Sequence, residues 1–152
     1  MTKRRLGTIV LLALGAVLVL SSCGGGGSKR VTKEQFAAKA NALCAAFNKQ
    51  VNAVGNPTTI QEMIAMVNKL LPLDRKLVAD FEKLKPPSNE EATVKRLVQL
   101  GNEQAARIEA MLAALKKSDM ATVNTLTKGG DANDKESKTL FRQIGATECN
   151  KS

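Results

Sequence analysis

Beyond position 32, apolar side chains recur at three- and four-residue spacing, and the pattern breaks only at residues that end helices. Phe36, Ala40, Leu43, Phe47, Val51 and Val54 form a first stripe, closed by Gly55-Asn56-Pro57. A period near 3.6 puts these positions on one face of an α-helix, whereas a half-buried strand needs strict alternation. Ahead of the stripe, the Thr32 hydroxyl can accept from a backbone amide while Gln35 reaches back, the arrangement of a capping box. Thr59 and Glu62 repeat it before a second stripe of Ile60, Ile64, Val67, Leu71, Leu77, Phe81 and Leu84, which Pro86-Pro87 ends. Pro72 lies within that run, where it removes one backbone hydrogen bond and crowds the preceding turn. The stripe keeps its phase across Pro72, so the spacing predicts one kinked helix.

Ser88 with Glu91 offers a third capping box, followed by Val94, Leu97, Val98, Ala105, Ile108, Met111, Leu112 and Leu115 as far as about Lys117. A fourth segment opens at Ser118 or Asp119 with Val123 and Leu126, and resumes with Leu140, Phe141 and Ile144. Gly129, Gly130, Asp131 and Asn133 fall between. Leu126 and Leu140 stand two heptads apart, and Asp131 with Lys135 and Asp134 with Lys138 are four-spaced ion pairs. These favour one long helix with a weak middle, capped by Gly145. The chain has no Trp or Tyr and four Phe, so its core must be aliphatic and Ala-rich, a vocabulary that suits helices. The expected fold is all-α, an up-down-up-down four-helix bundle over residues 32–152 with a kinked second helix.

The N-terminus has a different character. Lys3, Arg4 and Arg5 precede an uncharged run from Leu6 to Leu20, the layout of a secretory signal, and the run is shorter than the about 20 residues a comfortable span needs. Leu20-Ser21-Ser22-Cys23 then resembles a bacterial lipobox. That resemblance implies diacylglyceryl transfer to the Cys23 thiol and cleavage before it, which divides the chain into a signal peptide (1–22), a lipidated Cys with a Gly/Ser tether (23–31) and the helical domain. An uncleaved anchor, or ordinary signal cleavage nearby, is the alternative. Two acyl chains suffice for stable attachment. Gly24 to Val31 would reach roughly 16 Å as a flexible coil. The expected location is the extracytoplasmic face of a membrane.

Cleavage would remove Lys3, Arg4 and Arg5 and leave 20 basic against 14 acidic side chains, a net of +6. The charges are scattered rather than blocked, which favours a solvated surface. Contact with a cell-wall polyanion or an envelope protein is compatible with the surplus. Nucleic acid is not expected as a partner of an exported chain without aromatic residues set among basic ones.

With Cys23 given to lipid, Cys44 and Cys149 remain as a pair in an oxidising compartment, where two thiols in one small domain commonly join. Two buried free thiols are the alternative. In an up-down bundle the fourth helix ends beside the start of the first, and Cys44 lies about 18 Å along that first helix. Residues 145–149, extended, cover roughly 16 Å, so a C-terminal tail can climb back to Cys44. The segment from Phe36 to Asn48, Phe-Ala-Ala-Lys-Ala-Asn-Ala-Leu-Cys-Ala-Ala-Phe-Asn, together with Leu84-Lys85-Pro86-Pro87 and Gly145-Ala146-Thr147-Glu148-Cys149, resembles small helical actinobacterial lipoproteins of uncharacterised function. The resemblance implies the same bundle and Cys pair, and no activity.

The chain has no His and no Cys-x-x-Cys, so the usual zinc and haem ligand sets cannot be assembled; no metal, cofactor or catalytic residue is expected. Ser88 and Ser118 suit helix caps better than nucleophiles. One constellation is suggestive. Asp74, Gly101, Gly130 and Asn133 are small or polar and fall midway along helices that are elsewhere bulky. They could line a pocket for a small apolar or amphiphilic ligand, oriented by Asp74 and Asn133, or mark only a hydrated layer. Two functions follow: a non-catalytic interaction or structural module of the cell envelope, or a carrier or sensor with its ligand inside the bundle. An enclosed cavity beside Asp74 and Asn133 favours the carrier, and a solid core with an exposed apolar patch favours the module.

Overall fold

The computed structural model describes residues 31–151; Cys23, the signal segment and most of the tether lie outside the described residues. The described residues are helical, with no strand: α1 (Lys33–Asn52), α2 (Ile60–Lys83), α3 (Glu91–Lys116), α4 (Met120–Lys128) and α5 (Asp131–Gln143), with 3-10 turns at Ser88–Glu90 and Thr147–Asn150. Both N-terminal capping boxes form. Thr32 and Gln35 exchange backbone-to-side-chain bonds of 3.1 and 3.2 Å, and Thr59 and Glu62 do the same at 3.2 Å each. Such reciprocal bonds satisfy two backbone groups the helix leaves unpaired. Pro72 lies inside α2, which runs unbroken through it.

Two expectations need correction. Ser88 does not cap α3: it opens a 3-10 turn after Pro87, and Glu90 takes the N-cap position without a side-chain capping bond. Glu90 is instead buried, 5% exposed, and pairs with Lys33 at 2.7 Å, tying the start of α3 to the start of α1. The fourth helix is two helices rather than one. Gly129 and Gly130 form a turn between α4 and α5, and each glycine weakens a helix interior by about 1 kcal/mol relative to alanine. α4 opens at Asp119, whose carboxylate accepts from the Thr122 amide at 3.0 Å.

The division of that segment follows the core. One apolar cluster joins Phe36, Ala40 and Cys44 of α1 with Phe81, Val94, Leu97, Ile144, Ala146 and Cys149, and Leu140 and Phe141 of α5 pack against it. A second cluster joins Val67 of α2, Ala114 and Leu115 of α3 and Val123 of α4. The C-terminal half of α2 thus packs with the N-terminal half of α3 in the first cluster, and the opposite halves meet in the second. Phe81 and Phe141 meet with ring centroids 5.8 Å apart and planes at 59°, a tilted geometry that aromatic quadrupoles favour.

The tail returns to α1. Gly145 follows α5 at φ +74, a conformation that glycine adopts without a Cβ penalty. Its amide donates to the Arg142 carbonyl and that of Ala146 to the Phe141 carbonyl, at 3.1 and 2.8 Å, closing a Schellman motif that turns the chain sharply. Asn41 holds the turned segment, donating to the Gly145 carbonyl at 3.1 Å and accepting from the Glu148 amide at 2.8 Å. Cys149 then forms a disulfide with Cys44, with a Cα–Cα distance of 5.0 Å.

Candidate functional site

Beside the first apolar cluster, the middles of α2 and α3 pack on one another at Gly101 and Val78 but are not filled in by α1 and α5. They leave a cavity of about 440 Å³, a size within the range of about 300–1,000 Å³ usual for small-molecule sites. Leu70, Leu77, Leu100, Ile108, Phe47 and Phe141 give it mostly apolar walls. Asp74 on α2 and Gln104 on α3 add polar groups to these walls.

Asp74 on α2, Gly101 on α3, Gly130 in the turn before α5 and Asn133 on α5 all line this one cavity. Their local circumstances differ. Gly101 lets α2 approach α3 closely, because a Cβ there would collide with Val78. A Cβ on Gly130 would press against the Arg107 guanidinium. Asn133 already donates to Glu103 at 2.8 Å. Asp74 is the exception: its Oδ2 is fully enclosed and has no hydrogen-bond partner among the described residues. Burial pushes its carboxyl up to about 6, because a low-dielectric surrounding penalises the charged form.

A second enclosed acceptor belongs to Asn48, which the sequence did not single out. Its amide nitrogen donates to the Glu148 carbonyl at 2.9 Å, and its Oδ1 has no partner among the described residues. Asn48 also lines the cavity, on the α1 side. The available signal was its place one helical turn after Cys44 on the core face, where an apolar residue is ordinary. Enclosed polar atoms are rarely left without a water, ion or ligand.

The α5 wall is fastened to α3 by an ion pair and a hydrogen bond from Asn133 to Glu103. Arg96 grips Glu136 through two parallel bonds of 2.7 and 2.9 Å and also reaches Glu103 at 3.2 Å. The Arg96 guanidinium holds the Glu136 carboxyl below its usual value, and the fork in turn raises Arg96. Exposed pairs are individually weak, but a bidentate fork within a network fixes geometry. Asp134 and Lys138, the other charged lining residues, pair with each other at 2.8 Å. Among the described residues no cluster of three or more His, Cys, Asp or Glu could hold a metal ion, and no helix is long and apolar enough to cross a membrane.

No family model, curated protein or solved structure matches this chain.

Proposed function

We propose that this protein is a lipid-anchored lipoprotein on the extracytoplasmic face of the cell membrane that carries or senses a small amphiphilic ligand inside its helical domain without catalysing a reaction. The observation carrying this reading is the cavity of about 440 Å³ with apolar walls and an enclosed, unpartnered Asp74 oxygen. Apolar walls with few polar groups suit a ligand that has an apolar body and one polar head. The anchor rests on Leu20-Ser21-Ser22-Cys23 after a charged and then apolar N-terminus. In this reading the helices run up-down-up-down with α2 bent at Pro72, and α4 and α5 together supply the last antiparallel leg.

An envelope interaction module draws less support. Met120, at 38%, is the one large hydrophobic residue that is exposed among the described residues, whereas a stable protein contact usually buries a contiguous patch with aromatic anchors. Native mass spectrometry of protein purified from its own membrane tests the proposal. A bound small molecule on the folded protein, together with a diacylated peptide beginning at Cys23, is the expected result. An unmodified Cys23 would refute the anchor, and a folded protein that neither co-purifies with nor takes up any amphiphile would refute the carrier.

A further inference from the structure

Among the described residues, the enclosed side-chain atoms left without a partner around the cavity are of one kind. Asp74 Oδ2 on α2 and Asn48 Oδ1 on α1 are hydrogen-bond acceptors, enclosed and unpartnered. The cation among the lining residues, Lys138, is engaged by Asp134. The Asn133 amide is engaged by Glu103 and that of Asn48 by Glu148. An anionic head entering here would add charge beside Asp74, whereas a head that donates is complementary to the orphaned acceptors.

Building on the carrier reading, we infer that the ligand's polar head is a hydrogen-bond donor, and specifically a protonated primary amine on an apolar body, held by the Asp74 carboxylate and the Asn48 carbonyl. An ammonium supplies three donors and the charge that a desolvated carboxylate lacks, making a charge-assisted contact stronger than a neutral one. The burial that raises the Asp74 carboxyl to about 6 leaves it ionised at neutral pH and protonated at mildly acidic pH. Groups facing Asp74 leave that titration to itself. The lining residues on α1 and α3 are uncharged, those on α5 are the Asp134–Lys138 pair, and Arg107, beside Gly130, is turned to Gln104 at 2.7 Å.

The full chain in lipid nanodiscs, titrated calorimetrically with octylammonium, octanol and octanoate against empty discs, tests this. Octylammonium should bind tightest. Asp74→Asn should weaken it about tenfold to a hundredfold, the span of a lost hydrogen bond to a charged group, while leaving octanoate unchanged or improved. Because an ammonium needs the ionised carboxylate, wild-type affinity should fall about tenfold from pH 7 to pH 5, and the Asp74→Asn affinity should not. Octanoate or octanol binding as tightly as the amine, or an amine affinity indifferent to Asp74→Asn, would overturn the amine assignment and leave the carrier standing. No binding of any of the three above the empty discs would overturn the carrier and this inference with it.

Discussion

Gly101 on α3 lies so close to Val78 on α2 that a Cβ built on the glycine would stand 2.5 Å from Val78 Cγ2. The valine branch is short and stiff, so the helices themselves must move to admit a methyl group. Overpacking of this kind costs about 1–3 kcal/mol, while alanine for glycine in a helix returns about 1 kcal/mol. Gly101→Ala is therefore expected to lower stability by up to about 2 kcal/mol, read from the urea midpoint at unchanged slope. Adding Val78→Ala should recover part of the loss through removal of the clash, so the two changes should be non-additive in the favourable direction.

The Cys44–Cys149 bond closes a loop with a sequence separation of 105. A loop of that order is worth up to about 4.7 kcal/mol on the chain-entropy model, and native disulfides typically deliver about 2–4 kcal/mol. Replacing both cysteines with alanine should reduce unfolding free energy by that smaller amount. Equilibrium denaturation of the double variant beside the oxidised parent measures it, and a difference under about 1 kcal/mol would mean that the unfolded chain gains little freedom when the bond is lost.

How far the sequence reaches is set by the range of each interaction. The pairs Thr32–Gln35 and Thr59–Glu62 close within three residues, so side-chain chemistry alone suffices to place both helix starts. Ser88 carries the same local signature and fails, because the turn following Pro87 places Glu90 at the N-cap. Leu126 and Leu140 share a heptad phase, yet Val123 of α4 joins one apolar cluster and Leu140 of α5 packs on the other. Periodicity counts residues along a helix and cannot register which core each end joins. Asp74 stood out as a carboxylate in an apolar stripe. Asn48 did not, since its orphaned oxygen exists only because its amide turns to Glu148, one hundred residues away along the chain.

Asp74 should make stability fall as pH rises. Its carboxyl is raised from 3.8 to about 6 in the folded protein by burial, so the folded state holds the proton more tightly than the unfolded chain. Below about pH 4 both states are protonated and there is no penalty; above about pH 6 the penalty is complete. The side chain is partly exposed, and with screening the penalty is about 1–2 kcal/mol. Glu62, held low by the Thr58 amide, and Asp119, held low by the Thr122 hydroxyl, act in the opposite sense. The comparison that isolates Asp74 is wild type against Asp74→Asn. The variant should be the more stable at pH 7, and the gap should close between pH 6 and pH 4. A constant gap across that window would show that Asp74 titrates like an exposed carboxylate.

Asn41 is expected to hold the C-terminal tail independently of the disulfide. Its amide group bonds both the Gly145 carbonyl and the Glu148 amide, and the adjoining Ile144 and Ala146 are fully buried. Asn41→Ala would leave one backbone acceptor and one backbone donor unpaired in a partly buried setting, a loss of about 1–3 kcal/mol. The Glu148 amide should exchange its hydrogen faster in the variant, whereas the α3 amides far from the tail should slow or quicken only with global stability. If burial of Ile144 and Ala146 keeps the tail docked, the same substitution should cost a similar amount in the Cys44→Ala, Cys149→Ala background. Should the Asn41 effect vanish once the cysteines are gone, the covalent bond alone would be what brings residues 145–149 back to α1.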